Sequence, residues 1–152
     1  MLSESWQLAA SYDFNQTRYE ISDVPHLPLQ SQLPKHLAKV WTTYRVPYWQ
    51  KRVTVGAGVQ SQSSTYEAGT IPTSFDPTTG EGNPPFVPFN FTQSGWTILN
   101  LFSAVRISDQ FTVSVNLNNV TNKVYYKTVS TPEFGNWYGD PFNFMITLRY
   151  AR

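Results

Sequence analysis

The chain has 152 residues, of which 14% are charged, with a formal net charge of +1 and no cysteine. That length suits one unit rather than two, and the absence of cysteine excludes a disulfide framework and any thiolate metal site. No run of Lys or Arg is present to follow a phosphate backbone, so nucleic acid is not an expected partner.

Aromatic residues make up 16% of the chain, alongside 8 Gly and 11 Pro, which points to an all-β fold with a sparsely charged surface. Six segments alternate with the period of two that sends successive side chains to opposite faces of a strand. The first, 6–14, sets Trp6, Leu8, Ala10, Tyr12 and Phe14 against Gln7, Ala9, Ser11 and Asp13. The second, 35–46, sets Ala38, Val40, Thr42, Tyr44 and Val46 against Lys39, Trp41, Thr43 and Arg45, with Trp41 out of place among polar neighbours. In the third, 52–62, Val53, Val55, Ala57 and Val59 oppose Thr54, Gly56, Gly58 and Gln60; in the fourth, 97–107, Leu99, Leu101, Val105 and Ile107 oppose Asn100, Phe102, Ala104 and Arg106. The fifth, 111–118, alternates Phe111, Val113, Val115 and Leu117 with Thr112, Ser114, Asn116 and Asn118, then breaks off in "VTNKVYYK". The sixth, 143–150, alternates Phe144, Ile146, Leu148 and Tyr150 with Asn143, Met145, Thr147 and Arg149. No helical period of useful length occurs, and no apolar run approaches the roughly 18 residues of a membrane-spanning helix.

The connections are sorted by length. Residues 15–34, 64–95 and 123–141 form long ones, while 47–51 and 108–110 are tight turns. In an antiparallel meander every second connection lies at the same end, so all three long loops leave one rim and both turns the other, as in outer-membrane barrels. The polar faces carry mostly Ser, Thr, Asn, Gln and Gly instead of the Lys and Glu expected of a solvated surface. The apolar faces are aliphatic in the middle, with Trp6, Tyr12, Phe14, Tyr44, Phe111 and Tyr150 toward the ends. Each segment is near the roughly 9 to 11 residues that a tilted strand needs to cross a bilayer. The fold expected is therefore an antiparallel meander of about six transmembrane-type strands, apolar side to lipid and polar side to a lumen. Two alternatives share the alternation: a soluble β-sandwich or small barrel that binds carbohydrate through exposed aromatics, and a small structural membrane barrel, which needs about eight strands to close.

No catalytic constellation is present, so enzyme chemistry is not expected. His26 and His36 have no carboxylate at a metal-ligand spacing and are expected at the surface or rim. The run Asp76 to Glu81 resembles a calcium loop, but Pro77 and the lack of a second acidic ligand at its third position make it a turn. Asn15-Gln16-Thr17, Asn90-Phe91-Thr92 and Asn119-Val120-Thr121 satisfy the glycosylation sequon, which matters only on a eukaryotic secretory route. Gly80-Glu81-Gly82 lacks the strand and helix that flank a phosphate loop. What remains is Tyr66 and Phe75 in the second long loop, with Tyr125, Tyr126, Phe134, Trp137 and Tyr138 in the third. These can line an apolar vestibule for a planar, aromatic or catecholate ligand, or pack the loops on one another. Arg45 and Arg106 are expected on the lumen side near the short-turn end, facing a neighbouring strand or a plug.

Four stretches resemble the C-terminal end of the barrel of TonB-dependent siderophore receptors: "LPKHLAKVWTTYRV", "GWTILNLFSAVRISDQ", "NLNNVTNKVYY" and "YGDPFNFMITLRY". The resemblance covers essentially the whole chain and implies the last six strands of a barrel of about 22, a size whose lumen is plugged. It implies a place in the bacterial outer membrane as part of a full receptor, with a ferric siderophore as transported ligand and no cofactor. The implied partners are membrane lipid, the remaining strands and plug, and the energy-coupling TonB complex acting through the plug. Neither a signal peptide nor the family's plug and coupling box is seen in this sequence, and Arg152 stands where the family has a terminal aromatic. The expectation is residues 1–152 as a single unit, a receptor portion that does not transport alone.

Overall fold

The computed structural model describes residues 4–16, 33–48, 50, 52–132 and 135–152. In chain order the strands are β1 (Trp6–Phe14), β2 (His36–Val46), β3 (Val53–Gln62), β4 (Thr65–Phe75), β5 (Gly82–Gln93), β6 (Trp96–Arg106), β7 (Phe111–Asn118), β8 (Tyr126–Thr128), β9 (Trp137–Tyr138) and β10 (Asn143–Tyr150). The six alternating segments become one six-stranded sheet in the order β1-β2-β3-β6-β7-β10, every neighbouring pair antiparallel. Both tight turns and all three long connections therefore fall at the ends expected of them.

Register fixes the faces, because residues directly opposite one another share a side. One row runs Ala10–Val40–Val59–Leu99, and another joins Leu101, Leu117 and Phe144. No Asp, Glu, Lys or Arg lies on this apolar side of the six strands; Asp13, Lys39, Arg45, Arg106 and Arg149 all lie on the other. Large apolar residues of that side are exposed, among them Leu8, Val40, Val55, Val59, Ile146 and Leu148. A soluble sandwich would cover this face with a second sheet. Here the sheet is a single layer, and the buried hydrophobic residues among those described are Trp96, Tyr125 and Val129, all at the long-loop rim. The soluble-module alternative is not supported.

Aromatic side chains mark two levels on the apolar face. At the short-turn end Trp6 faces Tyr44 across β1 and β2, and Phe111 packs on Tyr150 with ring centroids 5.0 Å apart. Trp6 Nε1 donates to Thr42 Oγ1 at 2.7 Å, so the indole keeps a polar partner. At the other end Tyr12 and His36 share a 2.7 Å hydrogen bond, and Phe14 lies 5.3 Å from the imidazole. His36 is thus a rim histidine; His26 lies outside the described residues. Eight residues separate Trp6 from Phe14, roughly 26 Å along a strand, or about 20 Å along the normal at a tilt near 40°, close to the apolar band between aromatic girdles.

The second long connection differs from the expected loop, since residues 64–95 contain a β-hairpin of β4 and β5. Four prolines, Pro72, Pro84, Pro85 and Pro88, lie within these two strands. In a two-stranded ribbon both strands are edges, so a proline's missing N–H can face outward without loss. β4 has 11 residues, so at about 3.3 Å per residue the hairpin reaches roughly 36 Å beyond the sheet. Its tip is the turn expected at Asp76, whose Oδ1 accepts from the N–H groups of Thr78 at 2.7 Å and Thr79 at 3.2 Å. These two bonds, on a solvent-exposed carboxylate, hold its pKa below the ordinary aspartate value.

Candidate functional site

The third long connection folds back on itself because Asn119 ties its two ends together. Asn119 is 2% exposed, and its Nδ2 donates to the carbonyls of Lys123 at 2.9 Å and Asp140 at 3.0 Å. Its Oδ1 accepts from Lys123 N–H at 2.8 Å, and its own N–H reaches Asn100 Oδ1 at 2.9 Å. A backbone φ of 48° suits Asn, one of the few residues that tolerates the left-handed region. The sequon at this position is consequently inaccessible.

Pinned in this way, the connection stacks aromatic rings over the end of the lumen. Tyr125 lies on Trp96 with centroids 4.1 Å apart; the two are 7% and 5% exposed. Gly139 makes the approach possible, since a Cβ there would overlap the Tyr125 ring. Above this layer, β8 and β9 pair Tyr126 with Tyr138. Their rings stack at 4.4 Å and 22°, and their hydroxyls meet at 3.0 Å. Phe91 of β5 meets Tyr126 edge-on at 5.4 Å, and Gln93 Oε1 accepts from Tyr126 N–H at 2.9 Å. The base of the hairpin and the third loop thereby form one wall.

Two phenols here, Tyr125 and Tyr126, are held in their neutral form. Burial, reinforced by the Asp140 carboxylate, pushes Tyr125 above the usual tyrosine range. Tyr126 is pushed the same way, chiefly by its hydrogen bond with Tyr138. Trp137 is 70% exposed beside them. The result is an uncharged aromatic surface with hydroxyl groups at its edge, chemistry suited to stacking a planar ligand. Among the described residues no three His, Cys, Asp or Glu side chains converge.

Of the residues expected in the vestibule, Tyr126, Tyr138 and the buried Tyr125 come together, with Trp137 adjacent. Tyr66 sits at the base of the hairpin, opposite Thr92. Phe75 lies at the far end of β4, nine residues on and roughly 30 Å away at about 3.3 Å per residue, so the structure does not bring it to the cluster. Phe134 lies outside the described residues. Sequence reasoning passed over Phe91, Gln93 and Trp96, although "FVPFNFTQ" alternates Phe89, Phe91 and Gln93 on one side.

The family model of the TonB-dependent-receptor-like β-barrel matches residues 2–120. The chain belongs to this family. The ferric-pyoverdine M114 receptor PbuA of Pseudomonas sp. (strain M114) is 34% identical over 146 residues, which is 94% of this chain and 16% of that receptor. A ferric-pyoverdine BN7/BN8 receptor of Pseudomonas putida is 29% identical over 99% of this chain and 15% of its own length. The crystal structure of the outer-membrane ferripyoverdine receptor of Pseudomonas aeruginosa bound to ferripyoverdine matches 99% of this chain and 18% of its own, at 25% identity with a TM-score of 0.80. The chain thus spans about a sixth of the relatives it matches, and its place is the outer membrane. Strands beyond these six are what a closed barrel of this family requires, and no strand among the described residues pairs with the outer edge of β1 or β10.

Proposed function

We propose that this chain forms part of the wall and external rim of an outer-membrane receptor for energy-coupled uptake of ferric siderophores of the pyoverdine class. The observation that carries the proposal is the stacked wall of Phe91, Tyr126 and Tyr138 at the long-loop rim, on a sheet similar to that of a ferripyoverdine receptor. In this role residues 1–152 act as one unit that contributes strands and loops. A plug inside the completed barrel couples ligand release to TonB, and the portion seen here does not transport alone. The work is transport without enzyme chemistry or a resident cofactor, and the ferric siderophore is cargo.

Tyr126→Ala combined with Tyr138→Ala in the receptor that carries this chain tests the rim. Losing two aromatic contacts costs about 1–3 kcal/mol, so affinity for ferric pyoverdine at the surface of energy-depleted cells is expected to fall about 5- to 150-fold. Unchanged affinity would remove the rim from the binding site, and a receptor that takes up no ferric siderophore would sink the transport role.

A further inference from the structure

The two ends of the lipid-facing side differ in chemistry. Toward the short turns it ends on a wholly aliphatic row, Val46–Val53–Val105–Val113–Leu148. At the long-loop end the row Tyr12–Ala38–Ser61–Thr97 carries hydroxyls on three of its four strands. Phe14 and His36 lie opposite each other just above that row, beside Ser63, whose Oγ accepts from His36 N–H at 3.0 Å. Lys35 turns its Nζ over the Phe14 ring, 5.8 Å from the centroid, which brings its charge to the same side. Because this strip points away from the lumen, neither the strands that complete the barrel nor anything inside it lies over these side chains.

We propose that this strip is a site for the phosphorylated sugar headgroup of an outer-leaflet glycolipid. It rests on the outer-membrane location alone, and not on the ligand or the transport proposed above. The long-loop rim of such a barrel is the external one, so the strip lies at the headgroup level of the outer leaflet. Its polar hydrogens are not all spent within the protein. Tyr12 and His36 share one bond of 2.7 Å, yet carry at least two polar hydrogens between them whichever tautomer the imidazole adopts, so one is left to donate outward. Ser61 and Thr97 likewise spend one hydroxyl hydrogen of their pair on a 2.8 Å bond, and Ser63 accepts from His36 while keeping its own. Sugar hydroxyls and phosphate oxygens accept such hydrogens. Phe14 and Tyr12, both exposed, offer apolar ring faces on which the C–H groups of a sugar can pack. Lys35 supplies the charge, its stem lying along the aromatic surface while the ammonium stays in the wet interface. No acid lies on the lipid-facing side of the six strands to oppose an anion. Hydroxyl donors, a sugar-sized apolar surface and one cation together match a phosphorylated saccharide better than a plain phospholipid, which has no sugar to fill the hydroxyl row.

The test uses the full receptor that carries this chain, in phosphatidylcholine vesicles doped with a phosphorylated, acylated glucosamine disaccharide or, separately, with the same lipid stripped of its phosphates. Lipid retained per receptor after extraction into mild detergent is measured by mass. The native receptor should hold the phosphorylated lipid about tenfold more tightly than the stripped one. Lys35→Ala should lose most of that preference and Lys35→Arg should keep it, whereas Lys39→Ala, on the lumen side of the neighbouring strand, should change nothing. Ser61→Ala combined with Thr97→Val removes the hydroxyl pair and should weaken retention of both lipids about 2- to 10-fold. Equal retention of the two lipids by the native receptor, no loss in Lys35→Ala, or a matching loss in Lys39→Ala would overturn the proposal. Inorganic phosphate at the concentration of the lipid should displace none of it; displacement would mean a site for free anions and would overturn the headgroup assignment. Uptake has no part in these readings, so their failure would leave the transport proposal standing, and a receptor that takes up no siderophore would leave the strip untouched.

Discussion

Val115 is the position at which a single charge should separate lipid from lumen most sharply. It lies on β7 opposite Ser103 of β6 and Ile146 of β10. Four residues separate it from Phe111 of the short-turn aromatic level, about 13 Å along the strand, or about 10 Å along the normal at a tilt near 40°, which is close to the middle of an apolar band about 25 Å tall. A lysine at the midplane of such a band costs about 2–4 kcal/mol, so Val115→Lys should lower the folding equilibrium of the receptor roughly 30- to 900-fold. Asn116→Lys, one residue on, points into the lumen and should stay within about 1 kcal/mol. Phe111→Lys should cost about 0–1 kcal/mol for its charge and about 0.5–1.5 kcal/mol for the lost pairing with Tyr150. Denaturant unfolding of the receptor in lipid vesicles, followed by tryptophan fluorescence, measures all three. Equal costs for Val115→Lys and Asn116→Lys would refute the face assignment.

Removal of the Asn119 side chain deletes three hydrogen bonds that close the third loop; at about 1 kcal/mol each, Asn119→Ala should loosen that loop by about 2–3 kcal/mol, read as faster amide exchange across 123–141. Asp76 has its pKa lowered by the hairpin tip, so its contribution is present above the ordinary aspartate value and lost as pH falls through the lowered folded one. Protease cleavage at the tip should therefore rise in acid in the native chain and be high and pH-independent in Asp76→Ala.

The six strands were legible because a sheet with one lipid face and one lumen face must alternate, and nothing in these segments competes with that period. The sorted loop lengths gave the topology for the same reason, since a meander leaves no other arrangement. The hairpin of β4 and β5 was hidden by Pro72, Pro84, Pro85 and Pro88, which break a central strand but not a ribbon with two open edges. The rim cluster was half visible: Tyr125, Tyr126 and Tyr138 stand close in sequence, whereas Phe91 and Gln93 reach them only because the hairpin base turns back onto the third loop. Trp41 was seen as an anomaly, and register explains it, because Gly58 opposite makes room for the ring. Phe75 looked equivalent to Tyr66 in the sequence, and only the extended hairpin separates them.

The central claim, that the apolar side of this sheet meets lipid and the polar side a lumen, is tested most directly by cysteine accessibility along β7. Single cysteines at Val113, Val115 and Leu117 in the membrane-embedded receptor should react with a lipid-soluble maleimide and resist an aqueous one, while Ser114 and Asn116 should show the reverse. Equal reaction with the aqueous reagent at all five positions would contradict the account.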